Sequence, residues 1–297
     1  MDRLRALEVF VEVTERHSLV GAARSLSLSP PTVTRILNEL EDDLGVLLLR
    51  RSTRAITLTG PGRAYLESAR RLVDDYRDAR DAVRGSRLEP KGVLRVTASV
   101  LFGEHYVSPI LLEYLNAYPE VTVEAVFLDR VVNVVEEGFD IAVRIGSLPD
   151  SSLIASRVGE VRKVVCGSHS YLEERGCPQT PSDLADHDVI AIRPLGPPSK
   201  WRFGQQTSVT VNPRLTFSSV PPAIAAATSG WGLTRVLSYQ IGPELGASRL
   251  TTVLNEFEPT PLPIHLMHAE GRGASAKVRA FVELAAKRLR NHTHLQS

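Results

Sequence analysis

Apolar positions at the front of the chain recur at helical spacing. Over residues 4–15 they are Leu4, Leu7, Phe10, Val11 and Val13, with no Gly or Pro between them, which predicts an amphipathic helix. His17-Ser18 breaks the pattern, and Ser18 can cap a short second helix over SLVGAARSL, where Gly21, Ala22 and Ala23 let another helix cross closely. LSLSPP reads as a turn. Ser29 then caps a third helix that carries Pro30 and Pro31 in its first turn, where a missing N–H breaks no bond, and that stops at Gly45. Val33, Ile36, Leu37, Leu40 and Leu44 form its apolar stripe; Thr32, Thr34, Arg35 and Asn38 lie on the other side. LLLRRSTRAITLTG follows as two short strand-like runs around a polar turn, and from Pro61 to Arg84 a long helical stretch carries Leu66, Ala69, Leu72, Val73 and Tyr76.

Beyond a hinge at residues 84–92 the period changes, and strand and helix patterns alternate. GVLRVTAS is a strand, residues 101–118 a helix, VTVEAVF a strand, residues 131–136 a short helix and DIAVRIG a strand. A second set, VRKVVCGS, DVIAI, RLTFSS, PPAIAAATSG and WGLTRV, predicts another α/β unit; PIHLMH and KVRAFVELAAKRLR close the chain as strand and helix. Such alternation predicts α/β packing on mostly parallel sheets. At 297 residues the chain exceeds the roughly 100–200 residues of one ordinary domain.

Composition sharpens this picture in one window. The formal net charge is only +1 and the hydrophobic share 43%, as in an ordinary globular protein. Between Arg16 and Arg63, however, arginines 16, 24, 35, 50, 51, 54 and 63 face only Glu39, Glu41, Asp42 and Asp43, and no lysine occurs before Lys91. A guanidinium offers a planar fork suited to phosphate and guanine edges. The three front helices in this order read as a helix-turn-helix, with the start of the third helix placed to meet base edges. The strand-like runs after it read as a wing holding Arg50, Arg51 and Arg54 against a nucleic-acid backbone. Glu41, Asp42 and Asp43 sit at the far end of the helix, away from phosphates. The helix from Pro61 to Arg84 is longer than a monomer needs and predicts a homo-oligomer joined through it.

The stretch HSLVGAARSLSLSPPTVTRILNELEDDLGVLLLRRSTRAITLTGPG resembles the DNA-binding domain of LysR-type transcriptional regulators, through Ala22, Ala23, Ser29, Pro31, Glu41 and Gly45, and again through Leu47, Arg51, Thr57, Thr59 and Gly62. Pro30, Leu49 and Gly60-Pro61 depart from the family's usual residues, so a base preference is not carried over. The resemblance implies an α/β protein with an N-terminal all-α winged helix-turn-helix and an effector domain of two Rossmann-like lobes resembling type 2 periplasmic binding proteins. Its parts would be residues 1–60 for the DNA-binding domain, 61–90 for the linker helix and hinge, and 91–297 for the effector domain. Lobe I would take 91–165 and 267–297, lobe II 166–266, with crossovers near 164–168 and 263–267. It implies a near-palindromic promoter in double-stranded DNA, a small-molecule effector and RNA polymerase as partners, and a dimer or tetramer.

On this reading Ser29, Pro30, Pro31, Thr32, Thr34, Arg35 and Asn38 face the groove, with Arg50, Arg51 and Arg54 on the backbone. Ligands of open α/β sheets sit beyond the carboxyl ends of strands, which points to Ser99, Val100, Leu101 and Phe102 in the first lobe and Ser218 and Ser219 in the second. Facing loops add Arg144, Ile145 and Gly146, then Ile192 and Arg193, and Trp231, Thr234 and Arg235. The serines equally fit plain helix caps and each arginine a surface ion pair. Three arginines at a cleft mouth favour a carboxylate-bearing effector.

A transporter's solute-binding protein would leave the front of the chain unexplained, and an enzyme would need a catalytic cluster that the sequence lacks. No phosphate loop, nucleophile elbow or metal-ligand spacing is present, so neither cofactor, metal nor catalysis is expected. No leader pattern and no span-length apolar run appear, which predicts a cytoplasmic protein off the membrane. Cys166 in an apolar strand and Cys177 in a turn read as reduced thiols rather than a redox switch.

Overall fold

The computed structural model describes residues 2–51, 56–83, 89–148, 153–192, 199–204, 207–268 and 274–296. The chain divides into two compact units, residues 1–92 with 273–276, and residues 93–272 with 277–297.

The first unit begins with α1 (Arg3–Arg16), α2 (Leu19–Ser25) and α3 (Pro30–Leu44). Ser18 and Ser29 occupy the caps of the second and third helices and accept from Gly21 N and Thr32 N, and Gly45 closes α3 at φ 68°. Phe10, Val13, Ala22, Ala23, Val33 and Leu37 meet with almost no exposure, and each large side chain so buried contributes roughly 1.5–3 kcal/mol. Leu44, expected on this stripe, is instead 37% exposed, because the helix is already ending and its last turn leaves the core. Strands β1 (Leu49–Arg51) and β2 (Ile56–Leu58) pair antiparallel as the wing, whose turn lies outside the described residues. Then α4 (Gly60–Val83) lays Leu66, Ala69 and Val73 into the core, whereas Leu72 and Tyr76 stay 54% and 47% exposed.

The second unit runs β3 (Gly92–Ala98), α5 (Val100–Phe102), a π-helical turn (Gly103–Val107), α6 (Ser108–Ala117), β4 (Val121–Phe127), β5 (Ile141–Ile145) and β6 (Ile154–Val161). It continues as β7 (Lys163–Gly167), α7 (His169–Arg175), β8 (Val189–Ile192), the hairpin β9 (Ser199–Phe203) and β10 (Thr207–Val211), then β11 (Leu215–Phe217) and α8 (Val220–Thr228). It ends with β12 (Leu233–Leu237), α9 (Gly242–Gly246), β13 (Thr251–Val253), β14 (Leu262–His268) and α10 (Ala276–Arg290).

Two five-stranded sheets result, β4-β3-β5-β14-β6 and β11-β8-β12-β7-β13. They are mixed rather than mostly parallel. The βαβ passages pair β3 with β5, β11 with β8 and β8 with β12 in parallel, while β14 and β7 run against both of their neighbours. A strand arriving from the other lobe is free to enter in either direction, which alternation alone does not reveal.

The lobes exchange chain at Arg162, between β6 and β7, and between Phe257 and Leu262, slightly before the expected crossovers; the strands at 164–168 and 263–267 each belong to one sheet. Arg162 and Glu258 bridge the two crossing segments, with Nη1 2.9 and 3.0 Å from the carboxylate oxygens. Residues 131–136, expected as a short helix, are irregular up to 133 and then enter a turn that runs to 138. Glu137 accepts there from Asn133 N and pairs with Arg130, folding the segment back on itself. Among the described residues no helix is long and apolar enough to cross a membrane.

Candidate DNA interface and effector cleft

The exposed side of α3 is built from its first turns. Ser29 Oγ, while capping Thr32 N, shares a 2.7 Å hydrogen bond with Thr32 Oγ1, and Thr34 Oγ1 donates to Pro30 O at 3.1 Å. Pro30, Pro31, Thr34, Arg35 and Asn38 then line one shallow groove with Glu39 and Asp42. Arg35 is 65% exposed, and its ion-pair partner among the described residues is Glu39 one turn on. An exposed pair at that spacing is worth only about 0.3–0.5 kcal/mol, so it restrains the guanidinium little. Arg50 is exposed on β1, and Arg54 lies outside the described residues.

Arg51 is tied inside the chain. Its Nη2 is 2.6 Å from Glu41 Oε2 and its Nη1 donates to Asn38 Oδ1 at 2.7 Å, while Glu41 Oε1 accepts from Leu48 N and Leu49 N at 2.8 and 2.9 Å. Glu41 is 7% exposed. The acid expected merely to stay clear of phosphates is thus the hub joining α3 to the wing, and Arg51, expected on the DNA backbone, neutralises it because a buried carboxylate needs a partner.

In the second unit a cleft of about 620 Å³ opens between the lobes. Of the residues expected there, it brings together Ser99, Arg144 and Ile145 from lobe I with Ile192, Ser218, Ser219 and Arg235 from lobe II. Ser99 and Ser219 hold cap positions without a side-chain cap bond, which frees their hydroxyls; Ser99 Oγ lies 3.3 Å from Tyr239 Oη across the cleft. Others fall elsewhere. Phe102 is buried against the Tyr106 and Tyr239 rings, and Thr234 points to the opposite face of β12 from Arg235, where it donates to Ile190 O. Val100, Leu101, Gly146 and Trp231 are not among the lining residues, because the chain has already turned away into α5 and the neighbouring loops; Arg193 lies outside the described residues.

Lys163, Asp129, Arg130, Tyr239 and Gln240 line the cleft without having been singled out from the sequence. Lys163 opens β7 opposite Leu237 of β12, a long-range register that periodicity cannot give. Burial, and then the neighbouring Arg235 guanidinium, hold the Lys163 ammonium below its ordinary range. Burial also brings Arg235 down to about 10 and lowers Arg144.

Cys166 is fully buried, and burial pushes its thiol up to about 12, whereas Cys177 is exposed. A thiol reagent is therefore expected to label Cys177 and spare Cys166 until the unit unfolds, and mild peroxide to leave DNA binding unchanged. Mass spectrometry of the labelled chain reads the first and a gel shift the second; rapid native labelling of Cys166 would contradict the packing of β7. Among the described residues no cluster of three or more His, Cys, Asp or Glu is placed to hold a metal.

Comparison with known proteins agrees with this division. The family described as "Bacterial regulatory helix-turn-helix protein, lysR family" matches residues 4–63, and "LysR substrate binding domain" matches residues 87–290. An HTH-type transcriptional regulator of Xanthomonas campestris pv. campestris is 33% identical over 95% of this chain and 84% of that protein. The HTH-type transcriptional activator AaeR of Escherichia coli is 29% identical over 95% of this chain and 92% of its own. The solved structure of CrgA, a LysR-type transcriptional regulator from Neisseria meningitidis, superposes with a TM-score of 0.62 at 28% identity, covering 97% of this chain and 99% of that one. A front unit matching the family's DNA-binding domain and a two-lobed unit matching its substrate-binding domain together make this chain a member of the LysR family of transcriptional regulators.

Proposed function

We propose that the protein binds a near-palindromic promoter site as a dimer and is switched by a small organic acid held between its lobes. The observation that carries the DNA half is the exposed front of α3, where Thr34, Arg35 and Asn38 stand in one groove with Arg50 on the adjoining wing. The exposed Leu72 and Tyr76 of α4 support a second copy of that helix as the dimer partner. The cleft, lined by cations from both lobes, supports the acid. An effector switches such a protein only if it binds two lobe arrangements with different affinity, and closure would then reset the spacing of the DNA-binding heads.

The test is a gel shift against the DNA upstream of the protein's own gene. Arg35→Ala and Asn38→Ala should each weaken operator binding by about 1–3 kcal/mol and random duplex much less. Arg50→Ala should weaken both equally and lower the salt slope by about one. Equal losses on operator and random DNA for the first pair would remove base readout from α3, and no binding to any duplex at low salt would remove the reading altogether.

A further inference from the structure

The cations of the cleft are unevenly satisfied. On lobe I, Arg130 is bonded to Glu137, with Nη1 2.8 Å from Oε1, and Arg144 donates to Val132 O while facing the same carboxylate. On lobe II, Lys163 and Arg235 have no carboxylate partner among the described residues. They lie on adjacent antiparallel strands, where Leu237 pairs with Lys163 and Arg235 with Val165. Paired positions share a face and alternate positions return to it, so the two cations are diagonal neighbours on the same side of the sheet.

Arg235 is held rather than free. Its Nη2 donates to Arg202 O at 2.7 Å, and its guanidinium carbon lies 5.7 and 5.1 Å from the Trp201 and Phe203 ring centroids. Its Nε is buried and has no hydrogen-bond partner among the described residues. Two like charges held side by side and partly out of water, with a donor left unsatisfied, are unfavourable alone and favourable around an oxyanion.

We infer that Lys163 and Arg235 form the carboxylate-binding end of the cleft, and that the effector is an acid with one anionic group and an apolar body. The inference rests on reading the cleft as the effector site. One anionic group suffices, because the lobe I cations already have partners. The body is apolar, because Ile145, Ile192, Leu237 and Leu262 supply much of the remaining lining. Arg144, the cation that sequence position favoured, has the lesser part.

Isothermal titration of the full chain with hexanoate and cyclohexanecarboxylate, their neutral amides and inorganic phosphate tests this. The acids should bind the wild type, and the amides and phosphate more weakly. Lys163→Met and Arg235→Met should each weaken the acids about ten- to a hundredfold and leave the amides unchanged. Arg235→Lys should retain part of the affinity, and Arg144→Ala should change it little. Unliganded Lys163→Met should melt above the wild type, because a crowded, desolvated cation has gone; that readout also establishes that the variant folds.

If acids bind both Met variants as they bind the wild type, if amides or phosphate bind as tightly as acids, or if Arg144→Ala alone abolishes binding, the inference is overturned while the cleft remains the effector site. If neither acids nor amides bind the wild type, the cleft reading fails and takes the inference with it.

Discussion

Glu41→Ala is expected to destabilise the N-terminal unit by about 3–5 kcal/mol and to abolish operator binding at temperatures where the wild type is folded. The substitution strands the buried N–H groups of Leu48 and Leu49 and leaves Arg51, only 23% exposed, without its carboxylate. Arg51→Ala should lose a similar amount by leaving a buried carboxylate with backbone donors alone, and the double variant should lose less than the two combined. Glu41→Gln keeps an acceptor for the two amides and should fall between. Both tryptophans, Trp201 and Trp231, lie in the second unit, so their fluorescence is blind to the first. Far-ultraviolet circular dichroism should therefore show an early transition in Glu41→Ala that fluorescence does not. A variant melting with the wild type by both probes would mean that Glu41 does not hold the wing.

What the sequence made visible was local. Ser18, Ser29 and Gly45 mark their helix ends through bonds to residues a few positions away, and the structure has those caps where the pattern puts them. Eight strands of the second unit were readable from their apolar runs, whereas β6, β13 and the hairpin β9–β10 were not expected from the sequence. Partners distant in sequence were not readable. Glu41 looked like one of three acids at a helix end, and only the return of the chain through Leu48 to Arg51 makes it a buried hub.

The cleft shows the same division. Ser99, Ser218 and Ser219 follow from their places at strand ends, and Arg144 and Arg235, expected on facing loops, reach the cleft from within β5 and β12; Lys163 belongs to the site through the β7–β12 register and Tyr239 through a turn that no periodicity marks. Thr234 and Arg235 are adjacent in sequence, and a strand sends them to opposite faces; choosing between them requires knowing which face looks into the cleft.

Gly62→Ala provides the second large effect, and its sign is the informative part. Within a helix, alanine is favoured over glycine by about 1 kcal/mol, so propensity alone predicts a more stable protein. A Cβ at Gly62, however, would lie 2.0 Å from the Leu48 carbonyl oxygen and 2.9 Å from its carbon. These are backbone atoms of a residue that is 1% exposed, and a backbone carbonyl cannot swing aside as a long side chain can. The first turn of α4 would have to lift from the connection between α3 and β1, where Thr59 N donates to the same carbonyl and Gly62 N donates to Thr59 Oγ1 at 2.9 Å.

Overpacking of this kind costs about 1–3 kcal/mol and here exceeds the propensity gain, so the expected net is a loss of about 2 kcal/mol. The strain falls on Leu48, whose N–H is held by Glu41, so the same variant should disturb the wing and weaken operator binding beyond what lost stability explains. Gly60→Ala supplies the control two residues earlier in the same helix, where an added Cβ meets nothing within 4 Å and the variant should be neutral or slightly more stable. Thermal unfolding by circular dichroism compares the two directly. Equal melting of Gly62→Ala and Gly60→Ala would mean that α4 does not press on the wing, and the geometry linking the long helix to the DNA-binding face would have to be redrawn.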